Sequence, residues 1–238
     1  MEKLTLNGYL VGTIHNYLIK QPDLFYKIAD KIVCLTPMAK IKQKNFAWKN
    51  NLIHINQGID TRRFEDSKFT QRKNTENILI YSRMDIYKGE IYLPIIESLL
   101  KNKKYDITIL GDGEYFYSAI DSFGSSITPV SYIPCYSIHN FIRKFDVIIS
   151  NGRGVMEGML SGKPTIAAGI RYCGLIDKNN VEFFLESNFT GSNINYNCIK
   201  INDDMKKIEE GAYDNNRELG LKHFDVDDFL FKILSLTN

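Results

Sequence analysis

The chain has 238 residues, 44% of them hydrophobic and 24% charged, with 16 Gly and 6 Pro; these values exclude the disordered and fibrous classes. Thirty Lys and Arg against 28 Asp and Glu leave a net charge of +2. That is far from the basic excess of a nucleic-acid footprint, and no Lys/Arg cluster with interleaved aromatics stands out, so no nucleic-acid partner is expected. The charge is uneven, because residues 1–50 set eight Lys and no Arg against Glu2, Asp23 and Asp30. This end reads as a solvated Lys-rich surface, the alternatives being a face for acidic lipid or for another subunit.

No apolar run approaches the roughly 18–20 residues of a membrane span, and the first residues lack the apolar stretch of a secretion signal. A cytoplasmic location is expected, with peripheral contact at the inner membrane face as the alternative for the Lys-rich end. Cys34, Cys135, Cys173 and Cys198 are widely spaced and have no His at zinc-site spacing, so no metal site is expected from them.

In chain order, apolar runs at 9–14, 32–35, 52–55, 77–81, 105–110, 146–150 and 164–168 read as buried strands. Helical periodicity occupies 22–31 and 90–100, where Pro94 is tolerable only in a first turn, and amphipathic helices are expected at 203–210 and 225–236. Alternating strands and helices predict an α/β fold with a parallel sheet covered on both faces.

In such a sheet ligands bind beyond the carboxyl ends of the strands, so the loops that follow them carry the information. After 77–81, Arg83 and Lys88 place two cations where a helix starts, which suits an anionic ligand; two ordinary surface charges are the alternative. After 105–110, Gly111-Asp112-Gly113 is a tight turn that lets backbone approach a ligand, but it lacks the third glycine of a dinucleotide fingerprint. After 146–150 comes a helix expected over 152–161, with Gly154 and Gly158 in its body. Each interior glycine costs about 0.8–1 kcal/mol relative to Ala. Close approach of a phosphate to the helix start would offset that, with Glu157 accepting from the vicinal hydroxyls of a ribose; the alternative is close packing of the helix on the sheet.

Taken together these residues resemble the C-terminal half of the retaining GT-B glycosyltransferases of family four. The matching series runs from Ala29-Asp30 and Leu35-Thr36 through Asn56-Gln57-Gly58-Ile59-Asp60 with Phe64, then Ser82-Arg83, Lys88-Gly89, Gly111-Asp112-Gly113 and Phe145-Asp146, to Glu157-Gly158-Met159-Leu160-Ser161-Gly162-Lys163-Pro164. The resemblance implies a Rossmann-like donor-binding domain over 57–238, including the C-terminal helices, after a remnant of an N-terminal domain over 1–56. It implies that Arg83 and Lys88 hold the donor diphosphate and stabilise the leaving nucleotide in place of a metal, with no cofactor beyond the nucleotide-diphosphate sugar itself. Glu157 would bind the ribose, Gly58 would lie near the phosphates, and the Tyr132–Ile133 backbone would meet the base. His15, after the strand at 9–14, would lie against the donor sugar.

Two departures qualify the resemblance, one at Ile149 and one in the shortness of the first domain. Ile149 stands where family members commonly carry a glutamate that contacts the donor sugar. Some branches carry a Gly-Arg turn like Gly152-Arg153, which would put Arg153 on the diphosphate or sugar; a salt-bridged surface arginine is the alternative. The expected activity is retaining, metal-independent sugar transfer from a nucleotide sugar, such as a UDP-sugar, to a glycan or lipid-linked acceptor. The short first domain leaves room for a partner chain or homo-oligomer to complete the cleft. A non-catalytic nucleotide-sugar-binding module or truncated relic acting through a partner, and an epimerase or phosphorylase of the same fold, are the competing classes. Asp225-Val226-Asp227 reads as a helix cap.

Overall fold

The computed structural model describes residues 3–6, 9–14, 29–43, 51–67, 75–195 and 197–236. The expected helix at 22–31 and His15 lie outside them, apart from 29–31, which are not helical. By contacts the chain divides into two units, Met1–Thr61 with His223–Asn238, and Arg62–Lys222. The sequence reading cuts the chain once, after residue 56; in the structure the C-terminal helix packs with the first residues instead.

The first unit holds a four-stranded sheet in the order β1 (Lys3–Leu6), β2 (Tyr9–Ile14), β3 (Lys31–Cys34), β4 (Leu52–His54), with β1 antiparallel and the others parallel. Helix α1 (Pro37–Gln43) starts after Thr36, whose Oγ1 accepts from the Ala39 amide at 3.1 Å. Val33, Leu35 and Ile55 pack against Ile233 and Phe229 of the last helix, which is α9 (Val226–Ser235). Its start is capped as expected, Asp225 accepting from the amides of Asp227 and Asp228.

The second unit is a six-stranded sheet in the order β10-β9-β8-β5-β6-β7, namely β5 (Asn77–Tyr81), β6 (Asp106–Leu110), β7 (Ile127–Val130), β8 (Val147–Ser150), β9 (Thr165–Ala168) and β10 (Tyr172–Leu175). All neighbours are parallel except β10, which runs antiparallel to β9. Period-two alternation sends Ile78, Ile80, Ile107, Ile109, Val147 and Ile149 to one face, under α2 (Gly89–Leu100), α3 (Glu114–Phe123) and α7 (Ile201–Glu209). Leu79, Leu110 and Ile148 go to the other, where α4 (Ile138–Ile142) packs. Each such Ile or Leu adds about 1.5–3 kcal/mol by leaving water. Two short helices follow the sheet, α6 (Val181–Leu185) and α8 (Asn216–Phe224).

Helix α2 begins one residue earlier than the periodicity suggests, and Pro94 falls in its second turn, not in the first turn where the sequence reading would tolerate it. The carbonyl of Glu90, an exposed residue, therefore lacks its usual i+4 donor.

The outer sheet edges have unlike sequences. On β10, the Tyr172 amide donates to Asn197 Oδ1 at 3.0 Å and the Leu175 amide to Asp204 Oδ2 at 3.2 Å. On β7, Pro129 has no amide hydrogen to offer.

Candidate donor-binding site

Strand β5 has β6 on one side and β8 on the other, so the connection order reverses between β5 and β8, where a crevice opens at the carboxyl ends. Tyr81 and Ser150 are register partners there. The two loops are tied together below the surface. Ser150 Oγ donates to the Tyr81 carbonyl, Asn151 Nδ2 donates to Ser82 Oγ at 2.6 Å and to the Tyr92 hydroxyl at 3.0 Å, and Ser82 Oγ donates to the Arg83 carbonyl. Tyr92 is fully buried, donates to the Ala168 carbonyl, and is pushed up to about 12 by that burial. One tyrosine on α2 thus links β9 to the loops after β5 and β8. The sequence reading passed over Ser82 Oγ, Asn151 and Tyr92; Asn151 was legible as the residue directly after β8.

After β5, Arg83 points outward, its side chain 71% exposed, with Asp112 Oδ1 at 3.9 Å. Lys88 is less exposed, lies 3.8 Å from Asp85 Oδ2, and immediately precedes α2. The positive end of that helix's dipole reinforces both cations.

After β6, the glycine turn is demanded by backbone. A Cβ on Gly111 would stand 1.9 Å from the Ser82 carbonyl oxygen, and one on Gly113, at φ +104°, 2.6 Å from that of Met84. The Met84 amide donates to the Asp112 carbonyl at 2.8 Å, so the loops after β5 and β6 form one rigid ledge. The loop after β7 joins it through the Gly111 amide, which donates to the Val130 carbonyl. That loop presents Tyr132 largely to solvent, with Ile133 half-buried beside it.

After β8, Gly152 at φ +53° turns the chain into α5 (Arg153–Leu160). A Cβ on Gly154 would meet Ser150 Oγ at 2.0 Å, and one on Gly158 Thr165 Oγ1 at 2.9 Å. The glycines of this helix are explained by its close seat on the sheet, the alternative the sequence reading set beside phosphate approach. Arg217 Nη1 caps the far end, donating to the Leu160 carbonyl at 2.9 Å. Next to Gly152 lie Asn188 and Phe189, both with φ of 55°; for a fully buried Phe this is strained backbone.

Glu157 is 3% exposed, and Arg153 Nε donates to its Oε1 at 2.8 Å. Burial holds the Glu157 carboxyl above the usual carboxylate range, against the pull of Arg153. Tyr81 beside it is also raised, first by burial and then by the Glu157 charge. Ile149 is fully buried in the core, between Ile80 of β5 and Ile166 of β9, so a carboxylate at this position would lie in the apolar interior.

Gly58 belongs to the first unit, where a Cβ would meet Phe229 Cβ at 2.7 Å and Val226 Cα at 2.9 Å. This glycine is required by packing against α9. Phe64, in the second unit, is buried with its ring edge-on to His139. A cavity of about 610 Å³ lies elsewhere, along the outer edge of β10 among Tyr172, Phe183, Asn193, Cys198, Asp204 and Lys207. Its lining includes none of the loops after β5 to β8. Among the described residues no helix is long and apolar enough to cross a membrane, and no three His, Cys, Asp or Glu side chains stand together as metal ligands.

A mostly parallel six-stranded sheet with helices on both faces is the Rossmann-like architecture expected, and the fold is that of the GT-B glycosyltransferases. Among solved structures, the chain is similar to HepE from Anabaena in complex with UDP, with a TM-score of 0.65 and 16% identity over 96% of this chain and 72% of that one. It is also similar to Staphylococcus aureus TarM, crystallised as a variant with Fondaparinux, alpha-GlcNAc-glycerol and UDP, with a TM-score of 0.64 and 16% identity over 96% of this chain. The pneumococcal O-GlcNAc transferase GtfA, in complex with UDP and GlcNAc, matches with a TM-score of 0.59 and 14% identity. The chain spans 50% of the TarM chain and 52% of the GtfA chain. No protein-family model matches the sequence, nor does any curated protein.

Proposed function

We propose that the chain is the donor-binding part of a glycosyltransferase, which transfers a sugar from a nucleotide-diphosphate sugar to a glycan or lipid-linked acceptor with retention of configuration and without a metal. The observation that carries this reading is the crevice between β5 and β8. One rim bears two cations beside a helix start, Arg83 and Lys88, and the other a buried carboxylate, Glu157, under a half-exposed arginine. Cations with oriented amides stabilise a departing diphosphate, the electrostatic part that a metal plays elsewhere. The carboxylate suits vicinal ribose hydroxyls. Gly111, Asp112 and Gly113 line the diphosphate side, Tyr132 and Ile133 the base, and Gly154 the phosphate at the start of α5. The UDP in the HepE, TarM and GtfA structures supports a uridine donor.

Calorimetric titration with UDP, GDP and ADP tests the reading. One nucleotide is expected to bind, and Arg83→Ala and Lys88→Ala are each expected to weaken it by about 1–3 kcal/mol through loss of a charge-assisted contact. Unchanged affinity in both variants sinks the assignment.

A second reading, a nucleotide-sugar-binding module that needs a partner chain for turnover, is favoured by Ile149, whose burial removes the expected donor-sugar carboxylate. Donor turnover by the purified chain, with and without acceptor, separates the two.

A further inference from the structure

The carboxylate of Glu157 is closed off. Arg153 Nε holds Oε1 at 2.8 Å, and Oε2 is shut away from solvent on the side of the Tyr81 phenol. Around it stand the Tyr81 phenol at the end of β5, the Arg153 guanidinium on α5 and the charge of Arg63, with Cys135 of the loop after β7 acting on Tyr81. In this arrangement Glu157 offers nothing to a ligand: one oxygen is engaged and the other is covered. The two partners differ in freedom. The Glu157 side chain is 4% exposed and fixed one turn into α5, whereas that of Arg153 is 51% exposed at the first position of the helix. Only the arginine is free to swing toward solvent. A guanidinium that leaves a carboxylate finds an equivalent planar, two-pronged partner in a phosphate.

We propose that Arg153 is a movable cover on Glu157: the diphosphate of the nucleotide draws the guanidinium off the carboxylate, and the freed carboxylate then accepts from the ribose hydroxyls. This rests on the donor-site reading above. It makes Arg153 a specificity-determining residue, because phosphate recognition and ribose recognition become coupled through one ion pair. A nucleoside without phosphates must break the pair and gives Arg153 no new partner, whereas a diphosphate supplies one. The closed ion pair therefore discriminates against nucleosides, the dephosphorylated relatives of the ligand.

The test compares UDP with uridine on the full chain by ligand-observed NMR and calorimetry, for the wild type, Arg153→Ala, Arg153→Gln, Arg153→Lys and Arg83→Ala. Removing the cover is expected to tighten uridine binding, which then has no pair to break, while weakening UDP; unchanged uridine affinity would make Arg153 a phosphate contact alone and overturn the cover. The ratio of UDP to uridine affinity should fall at least about tenfold, equivalent to about 1.4 kcal/mol, in both Arg153→Ala and Arg153→Gln. Arg153→Lys, which retains a cation, should keep most of the ratio. If Arg153 only orients Glu157 or stabilises the helix start, both ligands weaken in parallel and the ratio stays put, which overturns the proposal. UDP binding that is lost in Arg83→Ala but shows an unchanged ratio in the Arg153 variants sinks the cover and leaves the donor site standing. Failure of the wild type to bind UDP sinks both.

Discussion

The loops after β5 and β8 sit on neighbouring strands and are built on opposite principles. The β5 loop presents its charges outward: Arg83 is mostly exposed, and its contact with Asp112 at 3.9 Å is a surface pair worth little in water. The β8 loop buries its charge, and Glu157 is held by a helix that can approach the sheet only because Gly154 and Gly158 lack side chains. The exposed Arg83 is free to follow a ligand, while the buried carboxylate is a fixed reference. One rim supplies attraction and the other supplies position.

The sharpest way to break this contrast is to disturb the fixed rim. Gly154→Val is expected to force α5 off the sheet, since even a Cβ there overlaps Ser150 Oγ, at a cost of about 3 kcal/mol or more. A denaturant midpoint close to wild type would show that the helix has slack. Next in size, Tyr92→Phe removes the hydroxyl that donates to Ala168 and accepts from Asn151, leaving buried groups unpaired; a loss of about 1–3 kcal/mol in chemical denaturation is expected. Glu157→Gln separates position from stability. It removes a buried charge together with its ion pair, so the fold should change by less than about 1 kcal/mol while nucleotide affinity falls severalfold. A large loss of stability with intact binding would reverse the roles given to that residue.

The smallest effect is on pH. His54 is held below its usual range, chiefly by burial and also by Lys40 and Lys232. The unfolded chain therefore takes up the proton first, and stability contributed by the neutral imidazole is lost as pH falls through about 6.5 and below. Glu157 acts in the opposite direction, because its folded carboxyl is raised and protonation on acidification relieves a burial cost. Midpoints measured from pH 7.5 to 5 should decline less steeply in His54→Gln than in the wild type; parallel curves would remove His54 from the account.

The elements most legible in the sequence were those with unmixed apolar runs. All seven strands read from such runs form, with ends shifted by at most one residue. The three that were missed have reasons. Lys3–Leu6 is short and alternates with polar residues, β7 carries Pro129, and β10 carries Gly174 at φ +90°. Pro and Gly are ordinarily evidence against a strand and are tolerated at an edge, which composition alone does not reveal. In the candidate site the residue types were readable but their burial was not. Arg153 and Glu157 stand four apart on one helix, which is the spacing of an ion pair, and the structure makes that pair the cover of a sealed carboxylate. Ile149 was noticed as a missing glutamate; its place in the β8 core follows from the alternation of Val147, Ile148 and Ile149 between the two faces.

The two borders of the six-stranded sheet carry a consequence for the behaviour of the chain in a crowded solution. An unprotected border is a template on which a foreign strand can crystallise, and growth of that kind leads to fibres. Here Asn197 and Asp204 occupy amides of β10 with side chains, and Pro129 interrupts the donor series of β7. Both borders of the six-stranded sheet thereby resist the addition of a strand, and assembly through this unit would favour side-chain surfaces over a longer ladder.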